Sequence, residues 1–427
     1  MRRLTVVMMT LIVLLAFRSA QAQMTARGLG MGGAYTALAR GVHAALWNPA
    51  NLGLPDNPRF SFTFVGVGAA ASNNAFSKAM YDQYLVDGAD ADNHIHWTED
   101  DVKDILDAIP DNGLSVVNDV GIRALSFSVG RFALSVGVVS GSSLTLEKEL
   151  FEIPLSGTVI GEAYDIATDA GQGLGYATVD LSYGLPVKVT PRYLIAAGLT
   201  THFIYGGGAA QTEDGTATVA LRPYGMDVDG TYEATTAYNG GGLGWGVDLG
   251  VAAQIGDRWT LSMAVDNVLG AIPFNENVET QYGTFSGDSL GVVSDFEEDL
   301  VDSTWDTEGE AFTVHPGRQL RLGAAYAMGA LTLTSEVQQG FSNGALVSSS
   351  TRLGLGLEWK GLSWLPLRAG VAVGGRYGFS TAFGLGIRPG GFVLDLAVLN
   401  RGGVTPRSSK GVAVAVELGL DLSRKHP

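Results

Sequence analysis

The sequence predicts an all-β protein, a transmembrane antiparallel β-barrel of about fourteen strands with a short helix in its external loops. Three observations carry this: a secretory leader with no later apolar run long enough for a membrane helix, period-two alternation in about ten-residue segments, and connections that alternate between short and long.

The chain opens with Arg2 and Arg3, then the apolar run Leu4–Phe17, then Ala20 and Ala22 at the spacing a signal peptidase needs. The run is about 14 residues, too short to span as a helix. Residues 1–22 are expected to be a cleaved signal peptide, with the mature chain starting near Gln23. Removing its three arginines takes the formal charge from −16 to −19. That balance excludes the usual basic nucleic-acid binder. There is no cysteine, hence no disulfide and no thiolate metal site.

The alternation is plainest near the end. Val412, Val414, Val416, Leu418, Leu420 and Leu422 alternate with Ala413, Ala415, Glu417, Gly419 and Asp421. Leu353, Leu355, Leu357 and Trp359 alternate with Gly354, Gly356 and Glu358. A soluble sandwich would carry Lys, Glu and Thr on its polar face. Here that face is mostly Gly, Ala and Ser, which suits the inside of a closed barrel, while the aliphatic face suits lipid. Strands are expected near 59–71, 119–129, 131–143, 174–187, 192–207, 241–255, 258–269, 318–328, 330–340, 350–360, 365–375, 380–388, 391–400 and 411–422. Short turns such as "VGRF", "IGDRW" and "AMGA" lie at one end, and the connections 72–118, 144–173, 208–240 and 270–317 at the other. Short periplasmic turns and long external loops are the pattern of such barrels, and an even strand count puts both termini in the periplasm. In the first long loop, Val102, Ile105, Leu106 and Ile109 recur at helical spacing. Thr98 with Asp101 resembles a capping box, and Pro110 stops the helix.

The stretch Gly28-Leu29-Gly30-Met31-Gly32-Gly33 matches the G-x-G-x-x-G of a dinucleotide loop. That loop needs a strand before it and an acid about 20 residues after it. The leader leaves no room for the first, and the second is missing around Gly53. No cofactor is implied. Glycine here serves close backbone approach instead.

"LGMGGAYTALA" and "ALWNPANL" resemble the N-terminal signature of the FadL/OMPP1 superfamily of outer-membrane transporters and their PorV-like relatives. The resemblance also extends, more weakly, over 97–138. It implies a fourteen-stranded barrel whose N-terminal segment folds back into the lumen as a hatch. The hatch turn would be Trp47, Asn48, Pro49 and Ala50, preceded by the hatch glycines Gly28, Gly30, Gly32 and Gly33. The domains are then a signal peptide at 1–22, a hatch at 23–57 and the barrel at 58–427. One departure is the terminal "SRKHP", which lacks the aromatic residue usual for such barrels.

Other candidates have plain readings beside the functional ones. "GFSNG", Gly340 to Gly344, fits G-x-S-x-G, but Asn343-Gly344 is an ordinary turn signal between barrel strands. No enzyme is expected. Asp90, Asp92, His94 and His96 stand at alternate positions and, if extended, could bind a divalent ion; an acidic loop explains them equally. Glu297, Glu298 and Asp299 are read as solvated, or bridged by divalent ions to lipopolysaccharide phosphates. Arg123, Arg321, Arg352 and Arg368 share inward faces with Asp266, Glu336, Asp395, Glu358, Glu417 and Asp421. These form either a structural network or a polar track for a carboxylate-bearing substrate. Two functions stay open: a passive channel for small hydrophobic molecules, fatty-acid-like or aromatic, gated by the hatch, or a PorV-like or structural barrel that holds surface or secreted proteins. The expected partners are outer-membrane lipid, lipopolysaccharide, a small hydrophobic ligand and a secreted protein, and no nucleic acid.

Overall fold

In the computed structural model the described residues are 24–86, 97–156, 163–167, 171–222, 225–238, 242–290 and 301–422. The signal peptide, the Asp90–His96 candidate and Glu297–Asp299 lie outside them.

Among the described residues nineteen strands follow one another. They are β1 (Phe60–Asn73), β2 (Leu114–Val129), β3 (Phe132–Leu146), β4 (Ala163–Ala167), β5 (Gln172–Val189), β6 (Tyr193–Arg222) and β7 (Gly225–Tyr238). Next come β8 (Leu243–Ile255), β9 (Trp259–Phe274), β10 (Val278–Leu290), β11 (Val301–Glu308), β12 (Phe312–Val314) and β13 (Gln319–Met328). The last are β14 (Leu331–Gly340), β15 (Arg352–Trp359), β16 (Leu367–Gly374), β17 (Ser380–Ile387), β18 (Phe392–Arg401) and β19 (Gly411–Leu422).

Fourteen of these make the barrel, in the order β1, β2, β3, β5, β6, β8, β9 and β13 to β19, every neighbour antiparallel. β19 returns to β1, with Val416 opposite Val67 and Leu422 opposite Phe60, so the wall has no edge. Leu353, Leu355, Val414 and Val416 point outward and are exposed, while Glu358 and Glu417 point inward and are buried. This outer-membrane barrel crosses the bilayer with strands; among the described residues no helix is long and apolar enough to do so. Two of the tight turns close on glycines in the left-handed region, Gly256 at φ 56° and Gly329 at φ 61°.

The other five strands correct the sequence reading, which left 144–173, 208–240 and 270–317 as loops. β6 continues past the barrel for 30 residues in all, and its far half pairs with β7. β7 pairs with β10, and β10 with β11, so a sheet stands outside the membrane. β4 borders the other side of β6, and β12 adds a short pairing to β9. "TATVALR" and "TYEATTAY" lack the row of lipid-facing aliphatics that marks a spanning strand, so the alternation there was masked by Thr, Asp and Glu. The helix Glu99–Ala108 forms as expected, with Thr98 and Asp101 in a reciprocal capping box, and it buries Ile105. Ile109 packs with Ala75 and Leu114 over the barrel mouth.

Among the described residues the wall register shifts at Thr63/Val65, Ala124/Phe127, Gly175/Tyr176, Pro186/Lys188 and Val247/Leu249, and at two of these a side chain takes up a backbone amide. At Ala124/Phe127, where Leu125 has φ 49°, the Val136 amide donates to Ser126 Oγ at 3.1 Å. At Val247/Leu249, the Asn267 amide donates to Asp248 Oδ1 at 2.7 Å. At these two places a side-chain oxygen supplies an acceptor where the ladder is interrupted.

Candidate functional site in the barrel lumen

The segment from Thr25 to Leu54 is almost wholly buried, and its partners are inward-facing residues of strands on every side. A short helix, Ala26–Gly30, starts at Thr25, whose hydroxyl accepts the Gly28 amide at 3.2 Å. The glycines then bring backbone against backbone. A Cβ on Gly30 would stand 2.9 Å from Gly384 Cα, and one on Gly28 would meet the Trp47 ring at 2.4 Å. Gly32 and Gly33 turn the chain at φ 64° and 80°, with Gly32 pressed on Gly370 and Val371. Gly41, at φ 59°, breaks the segment and starts a second helix, Val42–Trp47.

Asn48 and Pro49 then begin a 3-10 turn, Pro49–Gly53. Asn48 Oδ1 accepts the Ala50 amide at 3.0 Å, and Nδ2 donates to the wall carbonyls of Val251 at 3.0 Å and Met263 at 3.2 Å. Pro49 and Ala50 lie on Gly198 of β6, where any side chain would collide with them. Trp47 donates to Thr25 Oγ1 and takes the Arg321 guanidinium over its ring at 5.2 Å.

Each lumen charge named from the sequence has an identified place. Glu358 receives Arg27 through two 2.8 Å bonds and Arg368 through a third at 2.9 Å. Arg368 also reaches Asp395 at 2.7 Å. Glu336 accepts the Tyr35 and Thr36 amides at 2.8 Å each, and Thr36 Oγ1 at the same distance. Glu417 faces His43 at 2.5 Å. Arg321 pairs with Asp266, and Arg123 with Asp180 at 3.1 Å. Arg352 donates to the Gly32 carbonyl at 2.7 Å. Asp421 lines the periplasmic end of the lumen. Burial works against the charge on Arg27, but Glu358, Tyr35 and Asp395 together outweigh it and hold the guanidinium pKa above its usual value. The mixed signs therefore mostly satisfy one another and tie the segment to the wall.

Between this segment and the external connections lies a cavity of about 160 Å³. Part of its lining is apolar, with Trp47, Tyr176, Ile204, Leu346 and Leu399. The rest is largely polar or charged, and several of those residues were missed from the sequence. His202 stands between two acids, Nδ1 at 2.8 Å from Asp180 and Nε2 at 2.8 Å from Asp248, an arrangement in which only the doubly protonated ring donates to both. Arg401 pairs with Asp119 at 3.2 Å and stacks on Tyr377 at 3.5 Å. "GFSNG" is no nucleophile elbow: Asn343 turns the connection by accepting from Ser349, and no helix follows before β15.

Residues 49–398, most of the chain, match the family of unknown function DUF5723. The chain belongs to that family. No curated protein matches this DUF5723 protein. Among solved structures it is similar to the Ralstonia pickettii toluene transporter TbuX, with TM-score 0.52 and 14% identity over 94% of this chain and 99% of that one. It is likewise similar to a Pseudomonas aeruginosa FadL homologue, with TM-score 0.52 and 13% identity over 95% and 98% of the two chains. At such identity the likeness is one of fold, so the DUF5723 chain carries a FadL-type outer-membrane barrel.

Proposed function

We propose that the protein is a passive outer-membrane channel for small hydrophobic molecules, aromatic or fatty-acid-like, with residues 23–57 as a hatch in the lumen. The observation that carries this reading is the cavity of about 160 Å³ above the segment, with aromatic and aliphatic residues in its lining. An apolar cavity of roughly 150 Å³ accommodates benzene, so one aromatic ring fits. The shared fold of a toluene transporter supports the same class of cargo. Arg352 and Arg401 in the cavity lining suit a polar or carboxylate end on that cargo. The test is uptake into proteoliposomes of toluene and of a medium-chain fatty acid, against protein-free vesicles. Faster entry of either supports the channel, and equal rates for both reject it.

A second reading, a barrel that holds a surface or secreted protein, is favoured by one feature. Among the described residues β11 pairs only with β10, so the external sheet ends in an open strand edge with Trp305 exposed on it.

A further inference from the structure

Three voids lie in series along one sector of the lumen. The outer cavity shares Met24, Leu46 and Arg123 with a void of about 20 Å³. That void shares Val42, His43, Thr63 and Glu417 with a periplasmic chamber of about 380 Å³. From this continuity we infer that solutes pass beside the N-terminal segment, along the inner faces of β1, β2 and β19, while the segment stays in place. The narrow point is a throat at Met24, His43 and Glu417. The inference rests on the channel reading.

The other sectors are sealed by contacts that cannot open cheaply. Gly30 meets Gly384, Gly32 meets Gly370, and Pro49 meets Gly198, all through backbone atoms. Asn48, Tyr35 and Thr36 add buried hydrogen bonds to β8, β9 and β14. Moving the segment would break all of these together. In the throat sector the segment touches the wall through backbone where Met24 lies on Gly68 and where the Val42 amide donates to Ser61 at 2.8 Å, and side chains close the gap between them. Met24 is flexible and unbranched, and the His43–Glu417 pair parts by rotamer changes alone. The wall there is glycine. Gly66 and Gly121 line the throat, and a Cβ on Gly66 would find Glu417 Cγ nearest, at 3.5 Å, an ordinary contact. A void of about 20 Å³ holds roughly one water, so the throat as it stands is wet but too narrow for cargo.

The chain has no cysteine, so a single introduced thiol reports without background. Gly66→Cys places one in the throat. Thr334→Cys places one on the sealed side, where Thr334 is buried on β14. Each is reconstituted in liposomes, with folding checked by heat-modifiable migration, and treated from either side with a small membrane-impermeant thiosulfonate. Each is also made with His43→Ala plus Glu417→Gln. The expected result is labelling of Gly66→Cys from both sides, about tenfold faster in the opened background, with loss of solute flux once labelled. Thr334→Cys stays unlabelled. Flux that survives complete labelling of Gly66→Cys, labelling from one side only, or equal labelling of Thr334→Cys overturns the route and points to movement of the whole segment. If Gly66→Cys labels from both sides but no variant carries solute, the wetted route stands and the channel reading falls instead.

Discussion

Arg27 and Glu358, 331 residues apart in the chain, meet as a fork on a fork: Nε to Oε1 and Nη2 to Oε2, both at 2.8 Å. The pair joins the first turn of the N-terminal segment to β15. Glu358 keeps Arg368 and Lys360 when Arg27 is removed, so the loss stays below that of orphaning a buried charge. Arg27→Gln is expected to weaken the docking of the segment by about 1.5–3 kcal/mol. Proteolysis within 24–57 of the folded, detergent-solubilised protein should speed up while the heat-modifiable migration of the barrel stays unchanged. Equal proteolysis would mean the fork contributes nothing to docking.

Asn48→Ala with Pro49→Gly removes the Ala50 cap, both wall bonds and one set dihedral. Wall hydrogen bonds between strands do not depend on this turn. The barrel should therefore fold, and leak conductance in a planar bilayer should rise. Conductance matching the wild type in a folded double variant would remove the turn from any gating role.

Close approach makes Gly30 intolerant of a methyl group, since the atom in its way is the Cα of Gly384 rather than a yielding side chain. Gly30→Ala is expected to cost about 1–3 kcal/mol through a forced backbone shift. Denaturant unfolding followed by tryptophan fluorescence would measure it; no change in midpoint would show that the segment shifts freely.

Val416 sits mid-strand, opposite Val67 on one side and Leu396 on the other, and faces outward. Val416→Arg should cost about 2–4 kcal/mol if that position lies near the bilayer midplane. Refolding equilibria in lipid vesicles read this directly. A soluble variant that folds equally well without detergent or lipid would contradict the outward assignment.

His43 gives the lumen a pH signature. Burial alone would lower its pKa, but Glu417 and Tyr35 hold it up at about 10. A raised folded-state pKa means the pairing contributes fully below the ordinary histidine value, then fades and is gone as pH rises through about 10. Leak conductance should be flat from about pH 5 to 6.5 and rise on the alkaline side. His43→Gln should remove the alkaline rise. A wild-type rise centred near neutrality would show that Glu417 does not hold the imidazolium.

The barrel was legible because lipid on one face and a crowded lumen on the other impose period two over each spanning segment, as in Leu353–Trp359 and Val412–Leu422. The inward parity of Arg321, Glu336 and Glu358 followed from the same pattern. Which charges meet did not. His202 reaches Asp180 and Asp248 only because β6 lies between β5 and β8 in a particular register, and no spacing in the chain announces that. Thr36 finding Glu336 across 300 residues is equally silent. The external sheet was missed for another reason. Outside the bilayer both faces of a strand carry polar groups, so β7 and β10 read as loop.

β6 has a mechanical consequence. Its 30 residues span about 100 Å at roughly 3.3 Å each, against an apolar band about 25 Å tall. The same strand is wall at one end and appendage at the other, hydrogen-bonded to neighbours along both. It behaves as a cantilever with its root clamped in the barrel. A load applied at the tip, near Arg222 and Gly225, is delivered as torque to the strand that carries His202 and the Gly198 seat of Pro49. A grip on the external sheet thus reaches the interior through one continuous strand.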